Sequence, residues 1–274
     1  MFKFPQRILM LVVVAGPWFV CQQSIGQSQG TAAPPLLNAH AHNDYEHKRP
    51  LLDALGEGFT SVEADVYLVE GQLLVAHNFV FLSPERTLEK MYLQPLQQQA
   101  KQNDGRIYKD GPTITLLVDI KADGKAAYVA LDQLLSKYDA LISVTRDGKY
   151  MEKAVTVIIS GDRPMAEIQQ SKVRRAGIDG RVTDLDSKMS SDLLPLISDK
   201  WSSHFKYRGE GTMPDAERDK LRDIVKRAHD KGRRVRFWAT PESINVWQQL
   251  RNAGVDLIGT DDLEKLSTFL RPIR

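Results

Sequence analysis

Two carboxylates stand two residues apart in the apolar segment from Ser61 to Tyr67, which reads SVEADVY. Alternate side chains of a β-strand point to opposite faces, so Glu63 and Asp65 share one face and the apolar residues share the other. Carboxylates paired in this way repel each other and lose hydration unless a cation or a shared proton relieves them. A divalent metal is the simplest relief. The alternative is a structural network with an arginine of a neighbouring strand, such as Arg181 or Arg236.

A third carboxylate ends the strand-like segment LLVDIK at 116–121. Asp119 and Lys121 share a face by the same alternation. Three carboxylates from adjacent strands suit a hard cation such as Mg²⁺ or Ca²⁺, which takes oxygen ligands. We therefore expect Glu63, Asp65 and Asp119 to hold the metal, and Lys121 to face an anionic oxygen of the substrate.

Histidines close two further strand-like segments, with His40 and His42 in NAHAHND and His77 in VAHN. Two imidazoles beside a metal-bound phosphate can serve as general base and general acid near neutral pH. His42 lies closer to the end of its strand, so we assign acid or base catalysis to His42 and His77. His40 would lie one layer deeper, orienting His42 or contacting the metal or phosphate. His229 falls in a charged helical pattern and is expected in solvent, and the role of His204 is left open.

A later strand-like segment, RVRFWAT at 234–240, carries an arginine and aromatic residues near its end. Arg236 and Trp238 are candidates for contact with the substrate at the end of this strand. Core packing explains Phe237 and Trp238 equally well, so the segment alone means little.

The elements that must position these residues alternate between short apolar runs and helical patterns, which is typical of βαβ units in a parallel sheet. Strands are predicted at 36–42, 61–67, 113–120, 154–160, 180–184, 201–207, 234–239 and 256–260. Helices are predicted at 50–57, 125–137, 164–172, 190–197, 214–231, 243–253 and 263–270. Eight strands with interleaved helices in a chain of 274 residues predict a single-domain (β/α)8 TIM barrel. An open doubly wound sheet is the alternative.

Two segments interrupt the alternation. The run 73–77 follows Glu70 and Gly71 so closely that it predicts the return arm of a hairpin from the second strand. Residues 79–111 then form a long insertion with a helical patch at 88–100. Insertions of this length on the βα side of a barrel typically form lids and substrate loops.

The N-terminus resembles a secretory signal peptide, with Lys3 and Arg7 before an apolar run at 8–20. We predict a signal peptide at 1–26, a linker at 27–35, a catalytic domain at 36–274, and export to the periplasm or medium. A retained anchor helix and lipid modification of Cys21, the only cysteine, are the alternatives. The net charge of +2 does not favour nucleic acid, and no obligate protein partner follows from it.

Taken together, HAHNDY, PLLDALGEG, SVEADV, LVAHN, LLVDIK, RFWATP and GVDLIGTDD resemble the glycerophosphodiester phosphodiesterase superfamily, which includes phosphatidylinositol-specific phospholipase C and venom sphingomyelinase D. The resemblance runs in order from about Leu36 to the end, and the HAHNDY start is most similar to the branch with the altered-inheritance-of-mitochondria proteins. It implies a barrel, a metal on the three carboxylates, and acid and base roles for the N-terminal histidine and His77. It also implies attack on phosphorus by a neighbouring substrate hydroxyl, giving a cyclic phosphate open to later hydrolysis.

The sequence departs from that family after the first histidine. The usual Arg-Gly is replaced by Ala41-His42 or by Asn43-Asp44, depending on the alignment, and the following Glu-Asn-Thr is absent. Those residues help hold phosphate and metal in the family, so Asn43 joins the candidate phosphate-binding residues. The substrate stays open as a small-molecule or lipid phosphodiester, with transient contact to a membrane surface as one option.

Two other functions compete with this prediction. A His-x-His motif on a first barrel strand also opens the metal site of amidohydrolase-like enzymes, which would need further histidines and a terminal aspartate. Only His204 and Asp261 are available for those roles. A catalytically inactive barrel that binds a phosphorylated ligand is the second alternative.

Overall fold

A computed structural model describes residues 33–272. The predicted signal peptide, Cys21 and the linker up to residue 32 lie outside the described residues, so export remains a prediction. Within residues 33–272, no helix is both long and apolar enough to cross a membrane.

Twelve strands are present in the described part of the chain. They are β1 (Leu36–Ala41), β2 (Phe59–Val69), β3 (Gln72–Val75), β4 (Ile114–Ile120), β5 (Val144–Arg146), β6 (Lys149–Met151), β7 (Val155–Gly161), β8 (Val173–Arg174), β9 (Ala176–Gly180), β10 (Leu196–Lys200), β11 (Arg234–Trp238) and β12 (Leu257–Thr260). Eight of them run parallel in the order β1-β2-β4-β7-β9-β10-β11-β12, and β12 pairs with β1 to close the ring. The predicted TIM barrel is therefore confirmed, and the open-sheet alternative is excluded.

Helices cover the outside of the barrel. They are α1 (Leu52–Gly56), α2 (Gln94–Gln102), α3 (Gly124–Ser136), α4 (Met165–Gln170), α5 (Trp201–His204), α6 (Asp215–His229), α7 (Ile244–Ala253) and α8 (Leu263–Leu270). The ends of α7 and α8 follow local chemistry: the Ser243 hydroxyl accepts from the Val246 N–H, and the Asp262 carboxylate accepts from the Lys265 N–H. Gly254 ends α7 in the left-handed conformation with φ 81°, which glycine adopts without strain.

The fifth and sixth strands were predicted in the wrong places. The fifth lies at Ala176–Gly180, and the predicted 180–184 is largely a short 3-10 helix. The sixth lies at Leu196–Lys200, inside and just after the predicted helix 190–197. The predicted strand 201–207 begins instead as α5. Trp201 and Phe205 are four residues apart, and both rings pack against Phe237 of β11. Because this spacing puts two side chains on one face of a strand as well as of a helical turn, the apolar pattern did not reveal the helix.

The predicted hairpin is confirmed, because β3 runs antiparallel to β2 and pairs Val75 with Val66. The insertion at 79–111 follows it and contains one π-helical turn at Glu89–Leu93 that leads into α2. Tyr92 and Leu96 of this insertion are buried in the core. The insertion is therefore packed onto the barrel beside the first two strands.

Strands β5, β6 and β8 form a small separate sheet that was not predicted. Each has two or three residues, too few for a hydrophobic period to be recognised. The main core lies between the barrel and its helices, and a smaller apolar layer of Leu117, Ile158, Leu196 and Leu257 fills the barrel interior. This layer supports the polar residues at the carboxyl ends of the strands.

Candidate functional site

Three carboxylates meet inside the barrel, at the carboxyl ends of β2 and β4. The register pairs Asp65 directly with Asp119 across the two parallel strands, and Glu63 lies two residues earlier on the same face. One oxygen of each carboxylate lies within 4.8 Å of one oxygen of the other two. The strand alternation read from the sequence therefore brings all three predicted metal ligands together.

Glu63 lies deepest of the three and is 4% exposed. Its Oε2 forms an ion pair with Arg236 Nη2 at 2.9 Å and accepts a hydrogen bond from His40 Nε2 at 3.0 Å. Burial alone would raise the pKa of Glu63, but the Arg236 charge and the His40 bond outweigh it and hold the pKa well below its usual value. Glu63 is therefore an anion, and Arg236 reaches this carboxylate instead of standing free for a substrate. Arg181, the other arginine considered, pairs with Asp179.

His40 is completely buried between two partners. Its Nδ1 lies 2.7 Å from Ser61 Oγ, and because Glu63 is ionised, Nε2 carries the proton that Glu63 accepts. Burial, with help from the Arg236 charge, lowers the pKa of His40 to about 4. His40 is thus a neutral residue with both ring nitrogens engaged, one layer below the mouth, as the sequence predicted.

Asp65 is 1% exposed, and its two oxygens differ. Oδ2 lies 2.7 Å from the Tyr45 hydroxyl, 2.7 Å from Lys121 Nζ and 3.0 Å from His77 Nδ1. Oδ1 is buried and has no hydrogen-bond partner among the described residues. A buried carboxylate oxygen without a partner is costly, which marks the position where a cation would be stabilised.

Asp119 and Lys121 complete the floor of the mouth. Lys121 Nζ lies 3.5 Å from Asp119 Oδ2 as well as contacting Asp65. Burial raises the pKa of Asp119 to about 6, the Lys121 charge opposes this shift, and the negative charges of Asp65 and Glu63 add to it. Among the described residues, Lys121 and Arg236 are the lysine and arginine that ion-pair with the three carboxylates. With all three carboxylates ionised, these five groups carry a net charge of −1, so the cluster still lacks positive charge.

The residues fit the divalent metal that the sequence implied. The donor set is three carboxylates, which hard cations such as Mg²⁺ and Ca²⁺ prefer, and the partnerless Asp65 Oδ1 supplies a free ligand atom. A doubly charged cation would also change the net charge of the cluster from −1 to +1, which suits a phosphodiester anion.

His42 and His77 are arranged alike, each with a carboxylate at Nδ1. His42 Nδ1 lies 2.7 Å from Asp261 Oδ1, and His77 Nδ1 lies 3.0 Å from Asp65 Oδ2. Such a carboxylate fixes the tautomer and leaves Nε2 to exchange a proton with a ligand. Burial alone would lower the pKa of His42, but the hydrogen bond with Asp261 and the negative charges of Glu63 and Asp261 together outweigh it and raise the pKa above its usual value.

Asn43 and Tyr45 connect the two histidine–carboxylate pairs. Asn43 adopts the left-handed conformation with φ 48°, which asparagine tolerates better than most residues. Its Nδ2 donates to Asp261 Oδ1 at 3.3 Å, and its Oδ1 lies 2.7 Å from the Tyr45 hydroxyl. Burial, reinforced by Asp65, raises the pKa of Tyr45 far above its usual value, so the phenol remains a hydrogen-bond donor. Neither Tyr45 nor this connection was predicted.

Trp238 lies at the same end of the barrel, on β11. It is 36% exposed, and Lys200 Nζ lies 5.6 Å from its ring centre. A cavity of about 180 Å³ opens here and is lined by residues that include His42, Arg236, Trp238, Thr260 and Asp261. Trp238 is thus exposed at the mouth, whereas the adjacent Phe237 is buried in the core.

Two polar residues of the mouth were overlooked as site residues: Tyr45 and, in its contact with His42, Asp261. Tyr45 belongs to the motif HAHNDY and Asp261 to the motif GVDLIGTDD, so the family resemblance pointed to both positions. Asp179 accepts from Ser160 and Ser198 and pairs with Arg181, which satisfies it away from the carboxylate cluster.

The remaining histidines lie outside the carboxylate cluster. His204 Nε2 lies 3.0 Å from Asp199 Oδ2 at the end of α5. His229, expected in solvent, is exposed on α6, and its Nε2 lies 2.8 Å from Asp256 Oδ2. The candidate metal cluster found among residues 33–272 contains no histidine.

A closed (β/α)8 barrel with this acidic cluster at its mouth fits the glycerophosphodiester phosphodiesterase superfamily that the sequence motifs resemble, and two family matches support that class. Residues 32–178 match the AIM6-like phosphodiesterase domain, and residues 234–264 match the glycerophosphoryl diester phosphodiesterase family. The chain belongs to the AIM6-like phosphodiesterase domain family, as the HAHNDY start indicated.

Fungal relatives agree with this assignment. The chain is 31% identical to altered inheritance of mitochondria protein 6 of Eremothecium gossypii, over 86% of this chain and 70% of the relative. It is 28% identical to the altered inheritance of mitochondria protein 6 homolog of Arthroderma benhamiae, over 83% and 82% of the two chains.

Solved structures of two bacterial glycerophosphodiester phosphodiesterases share the fold. The one from Parabacteroides distasonis has a TM-score of 0.54 at 15% identity and covers 87% of this chain and 98% of its own. The one from Agrobacterium tumefaciens has a TM-score of 0.50 at 12% identity and covers 85% and 98%. At these identities the similarity establishes the fold alone.

Proposed function

We propose that this protein is a metal-dependent phosphoric diester hydrolase of the glycerophosphodiesterase and phospholipase type. The single observation that carries the proposal is Asp65 Oδ1, which is buried inside a three-carboxylate cluster and has no hydrogen-bond partner among residues 33–272. Glu63, Asp65 and Asp119 would hold Mg²⁺ or Ca²⁺. The bound cation would supply positive charge to the phosphoryl oxygens.

The side chains around the cluster have separate roles in this proposal. Lys121 is held between Asp65 and Asp119, where its ammonium can attract a substrate oxygen. Arg236 and His40 keep Glu63 ionised and fixed. Asn43 donates to Asp261 and so orients His42. Trp238 offers an exposed apolar face at the rim for the group attached to phosphate.

We assign the proton transfers to His42 and His77. The raised pKa of His42 favours its protonated form and suits a general acid that protonates the leaving oxygen. His77 donates from Nδ1 to Asp65, which leaves the Nε2 lone pair to accept a proton from the attacking hydroxyl. Whether water or a substrate hydroxyl attacks depends on the substrate.

The amidohydrolase-like alternative has less support. It requires His40 and His42 to share a metal, but His40 is occupied by Ser61 and Glu63, and His42 by Asp261. Paired histidine ligands would also favour Zn²⁺ over Mg²⁺ or Ca²⁺. A catalytically inactive barrel would bind a phosphorylated ligand at the same site without cleaving it, so a turnover assay distinguishes this alternative from the proposal.

A lipid phosphodiester is the substrate type that we favour. Phe79, Val80 and Phe81 begin two residues after His77 and are 65%, 81% and 68% exposed. Large apolar side chains this exposed are unusual in a row, and here they adjoin the proposed acid–base residue. They would contact an acyl chain or, transiently, a membrane surface during turnover.

The metal requirement tests the proposal. Glu63→Gln, Asp65→Asn and Asp119→Asn should each weaken Mg²⁺ or Ca²⁺ binding in calorimetry, because the amides keep the shape and remove the charge. Asp179→Asn is the matched control, since this buried carboxylate lies on the same barrel interior but outside the cluster. Equal metal affinity in the wild type and all three cluster variants would show that these carboxylates do not bind the metal.

The histidines need a separate test. His42→Ala and His77→Ala should each lower kcat by about 10²- to 10⁴-fold, the usual effect of losing a general acid or base. His40→Ala should act mainly on stability and metal binding, because both of its ring nitrogens face protein groups. Folding is checked for each variant by circular dichroism. An inactive His40→Ala beside a normally active His42→Ala would move the acid–base role two residues earlier.

A further inference from the structure

The turn Asn43–Tyr45 makes more contacts than a connection between a strand and a helix requires. The Tyr45 hydroxyl oxygen lies 2.7 Å from Asn43 Oδ1, 2.7 Å from Asp65 Oδ2 and 3.2 Å from His77 Nδ1. Asn43 in turn donates to Asp261, the partner of His42. An unbroken series of hydrogen-bonding groups therefore joins His42 to His77, although the two histidines come from different strands.

The same turn is tied to the insertion that follows the hairpin. Arg86 Nη2 donates to the Tyr45 carbonyl at 2.6 Å. Asp44 Oδ2 accepts from the Tyr92 hydroxyl at 2.8 Å and from the Leu51 N–H at 2.6 Å. Arg86 and Tyr92 both belong to the insertion at 79–111. The conformation of the turn therefore depends on how the insertion is seated against the barrel.

We propose that Asn43 and Tyr45 form a positioning bridge that sets the two catalytic histidines relative to each other, and that the insertion holds this bridge through Arg86 and Tyr92. The proposal rests on the proposed acid–base roles of His42 and His77. Tyr45 is a positioning residue, since its hydroxyl acts through Asp65 and Asn43. The single hydroxyl proton of this buried phenol lies between the Asn43 and Asp65 oxygens, and it can order them without leaving Tyr45.

Tyr45→Phe tests the bridge, because it removes one oxygen and keeps the ring in the core. A small displacement of the acid and the base raises the energy of the transition state more than that of the bound substrate. The kcat should therefore fall by about tenfold or more, while KM changes by less than about threefold. Tyr92→Phe should lower kcat in the same way but less, because it loosens the anchor and not the bridge.

Tyr108→Phe is the matched control. Tyr108 is another buried tyrosine of the insertion, and its hydroxyl donates to the carbonyls of Leu55 and Phe59, away from the mouth. Its loss should lower the unfolding temperature and leave kcat unchanged. In double-mutant cycles on kcat, Tyr45→Phe and Tyr92→Phe should be non-additive, whereas Tyr45→Phe and Tyr108→Phe should be additive.

A second readout does not depend on turnover. In ¹⁵N-histidine NMR spectra at one fixed pH, Tyr45→Phe should shift the ring resonances of His42, although the Tyr45 hydroxyl bonds to Asn43, Asp65 and His77 and not to His42 itself. Tyr108→Phe should leave these resonances in place. Unmoved His42 resonances in a folded Tyr45→Phe variant would overturn the bridge, as would a kcat within about twofold of the wild type. A wild-type protein that hydrolyses no phosphodiester would refute the proposed function instead, and the NMR result would still decide the bridge.

Discussion

Replacing Arg236 with methionine separates a metal site from a purely structural ion-pair network. Glu63 and Arg236 are each 5% exposed at the side chain, and the remaining partner of Glu63 Oε2 is the neutral His40. Removing one partner of a buried ion pair typically lowers the free energy of unfolding by about 3–5 kcal/mol. The retained His40 bond places the expected loss near the lower end, about 3 kcal/mol. For a chain of this size that corresponds to a fall in unfolding temperature of about 6–12 °C, measured in chelator.

If the cluster binds a metal, a divalent cation should restore most of the stability that Arg236→Met loses. A divalent ion on Glu63, Asp65 and Asp119 replaces the missing positive charge, and ligand at a hundred times its Kd contributes about 2.7 kcal/mol. The assay is thermal unfolding of Arg236→Met in chelator, in Mg²⁺ and in Ca²⁺. Arg234→Met is the control, because Arg234 lies two residues earlier on the same strand face and donates to Thr115. An unfolding temperature of Arg236→Met that neither cation raises would refute the reasoning and favour the structural network.

The remaining predictions concern pH, processing and substrate. The pKa of His40 is about 4 in the folded protein and 6.5 in its usual range, so the unfolded chain takes up a proton at a higher pH than the folded protein does. The free energy of unfolding should therefore fall as the pH drops from 6.5 to 4, by up to about 3 kcal/mol. His40→Gln should flatten this slope in denaturant titrations, and an unchanged slope would contradict the assignment. The mature protein should begin near Gln27 outside the cytoplasm, and an intact Met1 on a cytosolic protein in mass spectrometry would contradict export. Phe79→Ser with Phe81→Ser should lower turnover of a lysophospholipid in vesicles but not of a water-soluble glycerophosphodiester, and equal losses on both would argue against lipid contact.

The barrel and the carboxylate cluster could be predicted because both depend on short-range periodicity. The alternation in β2 puts Glu63 and Asp65 on one face, and parallel pairing brings Asp119 level with Asp65. Such relations follow from strand geometry alone. The positions of His40 below His42 follow from the same rule.

Other features depend on tertiary contacts that periodicity does not encode. Trp201 and Phe205 look like strand residues, but packing on Phe237 selects a helical turn. Arg236 looked like a substrate contact or a network partner, and only the closed barrel brings it to Glu63, more than 170 residues away in the chain. Tyr45 stood in a quoted motif, yet its role depends on Asp65 and His77 lying beside it.

The central claim is that the carboxylate cluster binds a divalent metal and that the protein then cleaves a phosphodiester. It is tested most directly by ³¹P NMR of a glycerophosphodiester and a lysophospholipid incubated with the protein in Mg²⁺, in Ca²⁺ and in chelator. We expect conversion of at least one diester to a phosphomonoester or cyclic phosphate with metal, and none in chelator or with Asp65→Asn. Unchanged diester signals in every metal-containing sample, or equal conversion in chelator, would contradict it.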